Sequence, residues 1–294
     1  MSIFSFNEQE KLLEIAIDIL EDYSVHSWSL GGGTALAAAY YDHRMSYDID
    51  IFSEDFSGIT KLISFKEEIA SNLRIDISQV QSSSSGITFV LSNEGHQLKL
   101  DFLYRTSLTE TPYNIINVLN KDNIVVQTPF EIIAKKLKHR EILTIRDFVD
   151  FAYAERMEGL ISKIKYSGIL DSDRFIDVWK QFDDILEVDF DLELKYLDPI
   201  FMKSKKCIYK ELFLAFNPKD EINIAVNKDF ELLTFDSWIE EYRDDYESIG
   251  EYHIYEHISK DKIAQVISKN SSDITYHDIY ELKKEQVRKL LSLL

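Results

Sequence analysis

The apolar positions change period along the chain, and each change predicts an element. Over residues 7–23, Leu12, Leu13, Ile15, Ala16, Ile19 and Leu20 recur at the three- and four-residue spacing of a helix with one apolar face. Residues 28–30 (Trp-Ser-Leu) suit a short strand that Gly31-Gly32-Gly33 stops, and 34–41 suits a helix of small residues. Residues 46–52, SYDIDIF, alternate polar and apolar as a half-buried strand does. A second amphipathic helix is expected over 60–73. Strands follow at 87–91 and 97–104 around the turn signal Ser-Asn-Glu-Gly, with a shorter one at 124–126. The serine run 82–85 reads as a loop.

From Thr128 onward the helical period takes over. Pro129 suits the first turn of a helix, and "PFEIIAKKLKHR" and "TIRDFVDFAYAERM" give two helices in close succession. Further helices are expected at "DRFIDVWKQFDDIL", "YKELFLAFN" and "DIYELKKEQVRKLLSLL", and one or two short strands in "EINIAVNKDFELLTF". The fold class expected is therefore α+β, with a small mixed sheet and flanking helices over 1–127 and a mostly α-helical domain over 128–294. A length of 294 residues, long for a single core, agrees with two domains.

Charge narrows the partners. The formal net charge of −19 opposes broad contact with a phosphate backbone, so a polyanion would need a local basic patch. Two stretches offer one: Lys135-Lys136-Leu-Lys138-His139-Arg140 and Lys203-Ser-Lys205-Lys206. The single cysteine, Cys207, rules out an internal disulfide and points to a reducing compartment. The N-terminal apolar pattern is interrupted by Glu14 and Asp18 and lacks a basic leader. No apolar run approaches the roughly 18 residues of a membrane span, so a cytoplasmic location without a membrane partner is expected.

The chemistry concentrates in "LGGGTALAAAYYDHRMSYDIDIF". Alternation puts Ser46, Asp48 and Asp50 on one strand face. Two carboxylates about 7 Å apart along a strand repel unless a cation sits between them. Hard divalent cations such as Mg²⁺ or Mn²⁺ take carboxylate oxygens and keep positions for substrate phosphates; an edge strand with two ordinary solvated aspartates is the other reading. Gly32-Gly33-Thr34 lies between a strand and a helix, where free N–H groups and a hydroxyl form a phosphate cradle, or simply a tight turn with an N-cap. Neither G-x-x-x-x-G-K-[ST] nor G-x-G-x-x-G occurs. In "QLKLDF", Lys99 and Asp101 share a face, which adds a third carboxylate with a cation beside it.

Taken together, these pieces resemble the nucleotidyltransferase fold of the DNA polymerase β type, and more closely the AbiEii/AbiGii toxin family of type IV toxin–antitoxin pairs. "LGGGTALA", "HRMSYDIDIF", "KLDFLY", "PFEIIAKKL" and "RDFVDF" match that family's blocks in order over residues 28–155, with Gly33-Thr34 where polymerase β-type enzymes carry Gly-Ser. The resemblance implies an EC 2.7.7-type transferase that moves an NMP from an NTP. Asp48, Asp50 and Asp101 would hold divalent metal, and Gly32, Gly33, Thr34, Ser46 and Lys99 would line the nucleotide site. The helices at 129–156 would complete the active site, with Lys135 neutralising phosphate and, from one helix face, Asp147 in a catalytic role and Asp150 at the nucleotide. It also implies a cognate antitoxin and an acceptor such as the tRNA 3′ end, whereas the acidic charge points away from tRNA to a protein hydroxyl or a small molecule. A nucleotide-binding module with little catalysis and an aminoglycoside-type transferase are the alternatives. On blander readings Lys135, Lys136, Lys138 and Arg140 form a solvated helix face, Arg146 pairs with Asp150, His43-Arg44 packs a loop, and His253 and His257 are a surface pair. The tyrosines around 242–255 lie among acidic residues, which argues against base stacking.

Overall fold

The computed structural model describes residues 3–93 and 96–216. The expected strands at 221–235 and helix at 278–294, His253, His257 and the tyrosines around 242–255 lie outside those residues.

The chain opens with helix α1 (Asn7–Asp22), whose apolar stripe is buried at Leu12, Leu13, Ala16, Ile19 and Leu20. Strand β1 (Trp28–Gly31) runs into a four-residue helix α2 (Gly32–Ala35), which widens into a π-helical turn over Leu36–Tyr41. Strand β2 (Ile49–Ser53) follows. The helix expected over 60–73 is two pieces, α3 (Phe56–Ser64) and α4 (Lys66–Asn72), broken where Phe65 leaves helical geometry at φ −100°, ψ 15°. Five strands come next: β3 (Val80–Ser83), β4 (Gly86–Asn93), β5 (His96–Tyr104), β6 (Tyr113–Val118) and β7 (Lys121–Gln127).

The seven strands form one sheet in the order β3-β4-β5-β2-β1-β7-β6. β2 runs parallel to β5 and β1 parallel to β7, while the other pairs are antiparallel. β3 and β6 carry little apolar periodicity and lie at the two edges, where one ladder side suffices. The serine run expected as a loop supplies half of β3.

One sheet face is the core. Leu30, Ile49, Ile51, Leu100, Phe102, Ile87, Phe89 and Val126 are essentially solvent-free, each such burial stabilising by roughly 1.5–3 kcal/mol. Alternation sends Gly31, Asp50, Phe52 and Asp101 to the other face.

All described elements after β7 are helices: α5 (Pro129–His139), α6 (Ile145–Glu158), α7 (Leu160–Ser167), α8 (Ser172–Asp184), α9 (Glu187–Leu197) and α10 (Lys205–Phe216). Thr128 caps α5 by accepting from the Glu131 N–H, with Pro129 at the first helical position. Thr144 and Asp147 form a capping box at the start of α6. Aromatic rings bind the helices together, among them Phe148 against Phe182 at 5.1 Å and Trp179 against Phe182 at 5.3 Å. Among the described residues no helix is long and apolar enough to cross a membrane.

Candidate active site

The site is built where β2, β5 and the glycine turn meet. Asp50 and Asp101 are register partners on adjacent parallel strands, and Gly31 lies opposite Asp50 on β1. Paired positions point to the same face, so two carboxylates stand side by side. Burial first, and then the charges of Asp101 and Asp48, push Asp50 up to about 7. Burial also raises Asp101, against the opposing hydrogen bond from Thr88 and the charge of Lys99.

Gly32 adopts φ +69°, and a Cβ there would fall 1.9 Å from the Asp50 carboxylate. Both the backbone angle and the close approach demand glycine. A Cβ on Gly33 would meet the Arg44 guanidinium at 2.5 Å and the Ser46 hydroxyl at 3.2 Å. The turn is therefore packed against an acid on one side and a cation on the other.

Ser46 and Asp48 depart from the expected strand. Residues 46–48 form an extended lead-in, because other groups claim their backbone. Gln9 donates to the Ser46 carbonyl at 2.7 Å, and the Thr34 hydroxyl donates to the Asp48 carbonyl. Thr34 also bonds the Ser46 hydroxyl at 2.9 Å. Thr34 is fully buried and Ser46 nearly so, so the hydroxyl expected in the phosphate cradle instead ties the turn to the lead-in. Asp48 keeps a half-exposed carboxylate that accepts from the Lys99 N–H at 3.1 Å and lies 3.8 Å from Arg146. Lys99 itself is exposed.

Asp147 and Asp150 share one face of α6, as their spacing requires, but that face is sealed. Both are fully buried. Arg44 grips Asp150 in a two-pronged contact, Nε to Oδ1 at 2.7 Å and a terminal nitrogen to Oδ2 at 2.9 Å. Lys136 bridges the pair, 2.6 Å from Asp150 and 2.9 Å from Asp147, and Arg140 binds both oxygens of Asp147 at 2.7 Å. Burial pushes both acids up, yet these cations outweigh it and hold both far below the carboxylate range. His43 stands 2.7 Å from Asp150, with its pKa lowered chiefly by burial. Because the carboxylate only accepts, Nε2 carries the proton in this assignment, and Nδ1 is buried without a hydrogen-bond partner.

The direct catalytic role expected for Asp147 and the nucleotide contact expected for Asp150 thus do not match their placement. Asp150 anchors the His43–Arg44 segment to α6, while Asp147 ties α5 and Arg140 to the start of α6. The Arg146–Asp150 pair is not formed, since Arg146 lies nearer Asp48 and Glu193.

The lysine carrying this network is Lys136, not Lys135. One residue turns a helix by about 100°, which aims Lys135 at the sheet instead. Its ammonium lies 3.0 Å from Glu131 and 5.1 Å from the Phe52 ring centre, buried and out of line for any hydrogen bond. Glu131 is itself occupied, accepting from the N–H groups of Leu108 and Thr109 and the Thr109 hydroxyl. Sequence reasoning divided His43 and Arg44 between phosphate contact and loop packing, and Lys136 and Arg140 between a basic patch and a solvated face. A usable signal existed: Lys136 and Arg140 are four apart on one helix and Asp147 and Asp150 three apart on the next, so oppositely charged faces meet across a tight connection.

Among the described residues, no three His, Cys, Asp or Glu side chains are grouped as a metal ligand set. Asp101 is turned to the Thr88 hydroxyl and Asp48 toward Lys99 and Arg146. The donor chemistry nevertheless suits a hard divalent cation. Asp48, Asp50 and Asp101 offer oxygens alone, and Asp50 is raised by burial first and by the neighbouring carboxylates second.

Among solved structures, a putative nucleotidyltransferase from Helicobacter pylori is 17% identical, with 72% of this chain and 94% of that one covered at a TM-score of 0.42. MenT4, a nucleotidyltransferase toxin of Mycobacterium tuberculosis H37Rv, is also 17% identical, covering 82% and 91% at a TM-score of 0.42. JHP933 from Helicobacter pylori is 16% identical, covering 82% and 94% at 0.41. No curated protein matches. The family model for the AbiEii nucleotidyl transferase toxin of type IV toxin–antitoxin systems matches residues 19–215, well over half the chain. The chain belongs to the AbiEii nucleotidyltransferase toxin family.

Proposed function

We propose that this protein transfers a nucleoside monophosphate from an NTP to an acceptor hydroxyl, with Asp48, Asp50 and Asp101 holding Mg²⁺ or Mn²⁺. The observation carrying this reading is the in-register placement of Asp50 and Asp101 on adjacent parallel strands, with Asp50 pushed up to about 7 by burial and its acidic neighbours. When bound, the cation supplies charge for the triphosphate and orients the reacting oxygens. As the side chains stand, Asp48 and Asp101 face other partners, and holding a cation jointly with Asp50 would require them to leave those partners.

The chain's own groups have distinct tasks. The first-turn N–H groups at Gly32 and Gly33 have no intrahelical acceptor and face the outer phosphates. Asp101 takes the proton of the attacking hydroxyl. The acceptor oxygen bonds to the α-phosphorus, the bond from that phosphorus to the bridging oxygen breaks, and pyrophosphate leaves. Lys135 adds positive charge beside Phe52, and Arg140, with a side chain 43% exposed, faces the same acidic cluster. The acceptor is an RNA 3′ end or a protein hydroxyl, and a cognate antitoxin restrains the enzyme, as expected in a type IV pair.

The test incubates purified protein with each α-³²P-labelled NTP, Mg²⁺ and a bacterial extract, then splits the sample between RNase and protease. Label removed by RNase identifies an RNA acceptor, and label removed by protease a protein. NTP binding with no label from any of the four nucleotides overturns the transferase in favour of a binding module.

A further inference from the structure

Most cations near the acids of the site are committed to one of them. Arg44 grips Asp150, and Lys136 and Arg140 bind the buried acids of α6. Arg146 differs. It is the second residue of α6, and one step of about 100° from Asp147 turns it away from the sealed face. Its Nη1 lies 3.8 Å from Asp48 Oδ2, and its Nε 3.7 Å from Glu193 Oε1 on α9. Both separations exceed a hydrogen bond, and among the described residues the guanidinium makes none. Its side chain is 42% exposed, so these two ion pairs contribute little to stability. A planar fork of five N–H donors is thus held at the margin of the acidic cluster with no acceptor at bonding distance.

We propose that Arg146 binds the outer phosphates of the NTP, the part that leaves as pyrophosphate. The proposal rests on the transferase reading above and names the side chain that receives the triphosphate. Asp48 is one of the three carboxylates assigned to the divalent cation. Such cations, held by one or two carboxylates, also take substrate phosphates, so a triphosphate bound in this way lies beside Asp48 and within reach of Arg146. A guanidinium meets phosphate with two parallel bonds, which neither of its present long contacts offers. Exchanging two exposed, distant carboxylates for phosphate costs little. The need is also clear: a chain of net charge −19 repels a polyanionic substrate, and a guanidinium beside the acids offsets that repulsion where the substrate arrives. The competing role is electrostatic screening, in which Arg146 only neutralises Asp48 and touches no phosphate.

The test is calorimetric titration of the full-length protein with inorganic tripolyphosphate at saturating Mn²⁺, and with Mn²⁺ alone, for the wild type, Arg146→Ala and Arg146→Lys. Tripolyphosphate carries no base, so it reads the phosphate contact by itself. Arg146→Ala is expected to weaken it by about tenfold or more while binding Mn²⁺ at least as tightly as the wild type. Arg146→Lys should recover part of the loss, because it keeps the charge and lacks the fork. Unchanged tripolyphosphate affinity in Arg146→Ala, with Mn²⁺ bound more tightly, would establish screening and overturn the proposal. A loss of Mn²⁺ binding together with a lowered melting temperature would also overturn it, as the mark of a structural prop, and so would a wild type that binds no tripolyphosphate. The expected losses in a protein that transfers no label would uphold the role of Arg146 and count against the transferase reading alone.

Discussion

Two pairs of aspartates sit on neighbouring elements of this protein and have opposite electrostatics. Asp50 and Asp101 on the sheet face each other with too little positive charge, and both carboxyls are raised. Asp147 and Asp150 on α6 have no solvent exposure, yet both are strongly lowered, because Arg44, Lys136 and Arg140 bind them directly. Burial alone therefore does not decide a carboxylate's state; the count and reach of adjacent cations do. A saturated pair holds structure together, whereas an unsaturated pair retains capacity for a ligand.

Substitution should separate the pairs most sharply in activity. Asp50→Asn is expected to reduce nucleotidyl transfer by about a thousandfold or more, read as label incorporated per minute, with the folded spectrum retained. Transfer within tenfold of wild type would end the metal-holding assignment. Asp150→Asn should act on stability instead. It leaves Arg44, Lys136 and His43 without their buried acceptor, at a cost of about 3–5 kcal/mol in urea unfolding.

The two lysines refine the contrast. Lys136→Met removes contacts to both α6 acids and should destabilise by about 3 kcal/mol. Lys135→Met, which loses one ion pair and a ring contact, should cost about 1 kcal/mol and mainly weaken triphosphate binding by equilibrium titration. Equal stability losses would show that Lys135 is as structural as its neighbour.

The smallest effect is a pH dependence. Asp50 in the folded chain titrates near 7, well above an unfolded aspartate. The folded state thus binds the extra proton, and stability falls as pH rises from about 4 to about 7. Asp50→Asn removes this titration, so its melting temperature should gain on the wild type by a few degrees across that window. A constant difference across the window would contradict the raised pKa.

Much of this was readable beforehand. Period-two alternation located the two faces of β2 and β5, a turn signal located the β4–β5 hairpin, and Pro129 located the start of α5. The edges β3 and β6 were not legible because their pattern is nearly all polar or mixed, with neighbours rather than burial defining them. At the site, spacing gave the aspartates but not their partners. Thr34 was read as a phosphate ligand because a hydroxyl at a helix start is chemically suited to it. Only the fold shows that Gln9 and Thr34 spend their hydrogen bonds on residues 46–48. Lys135 and Lys136 could not be ranked without knowing which side of α5 meets α6.

The bond between Arg44 and Asp150 spans 106 positions of sequence, and that separation has a meaning in time. Synthesis runs from the N-terminus, so a nascent chain can carry Asp48, Asp50 and Asp101 while the clamp on the segment leading to them is still unmade. Under the proposed function the site would be locked only once α6 is complete, long after its three carboxylates have been made.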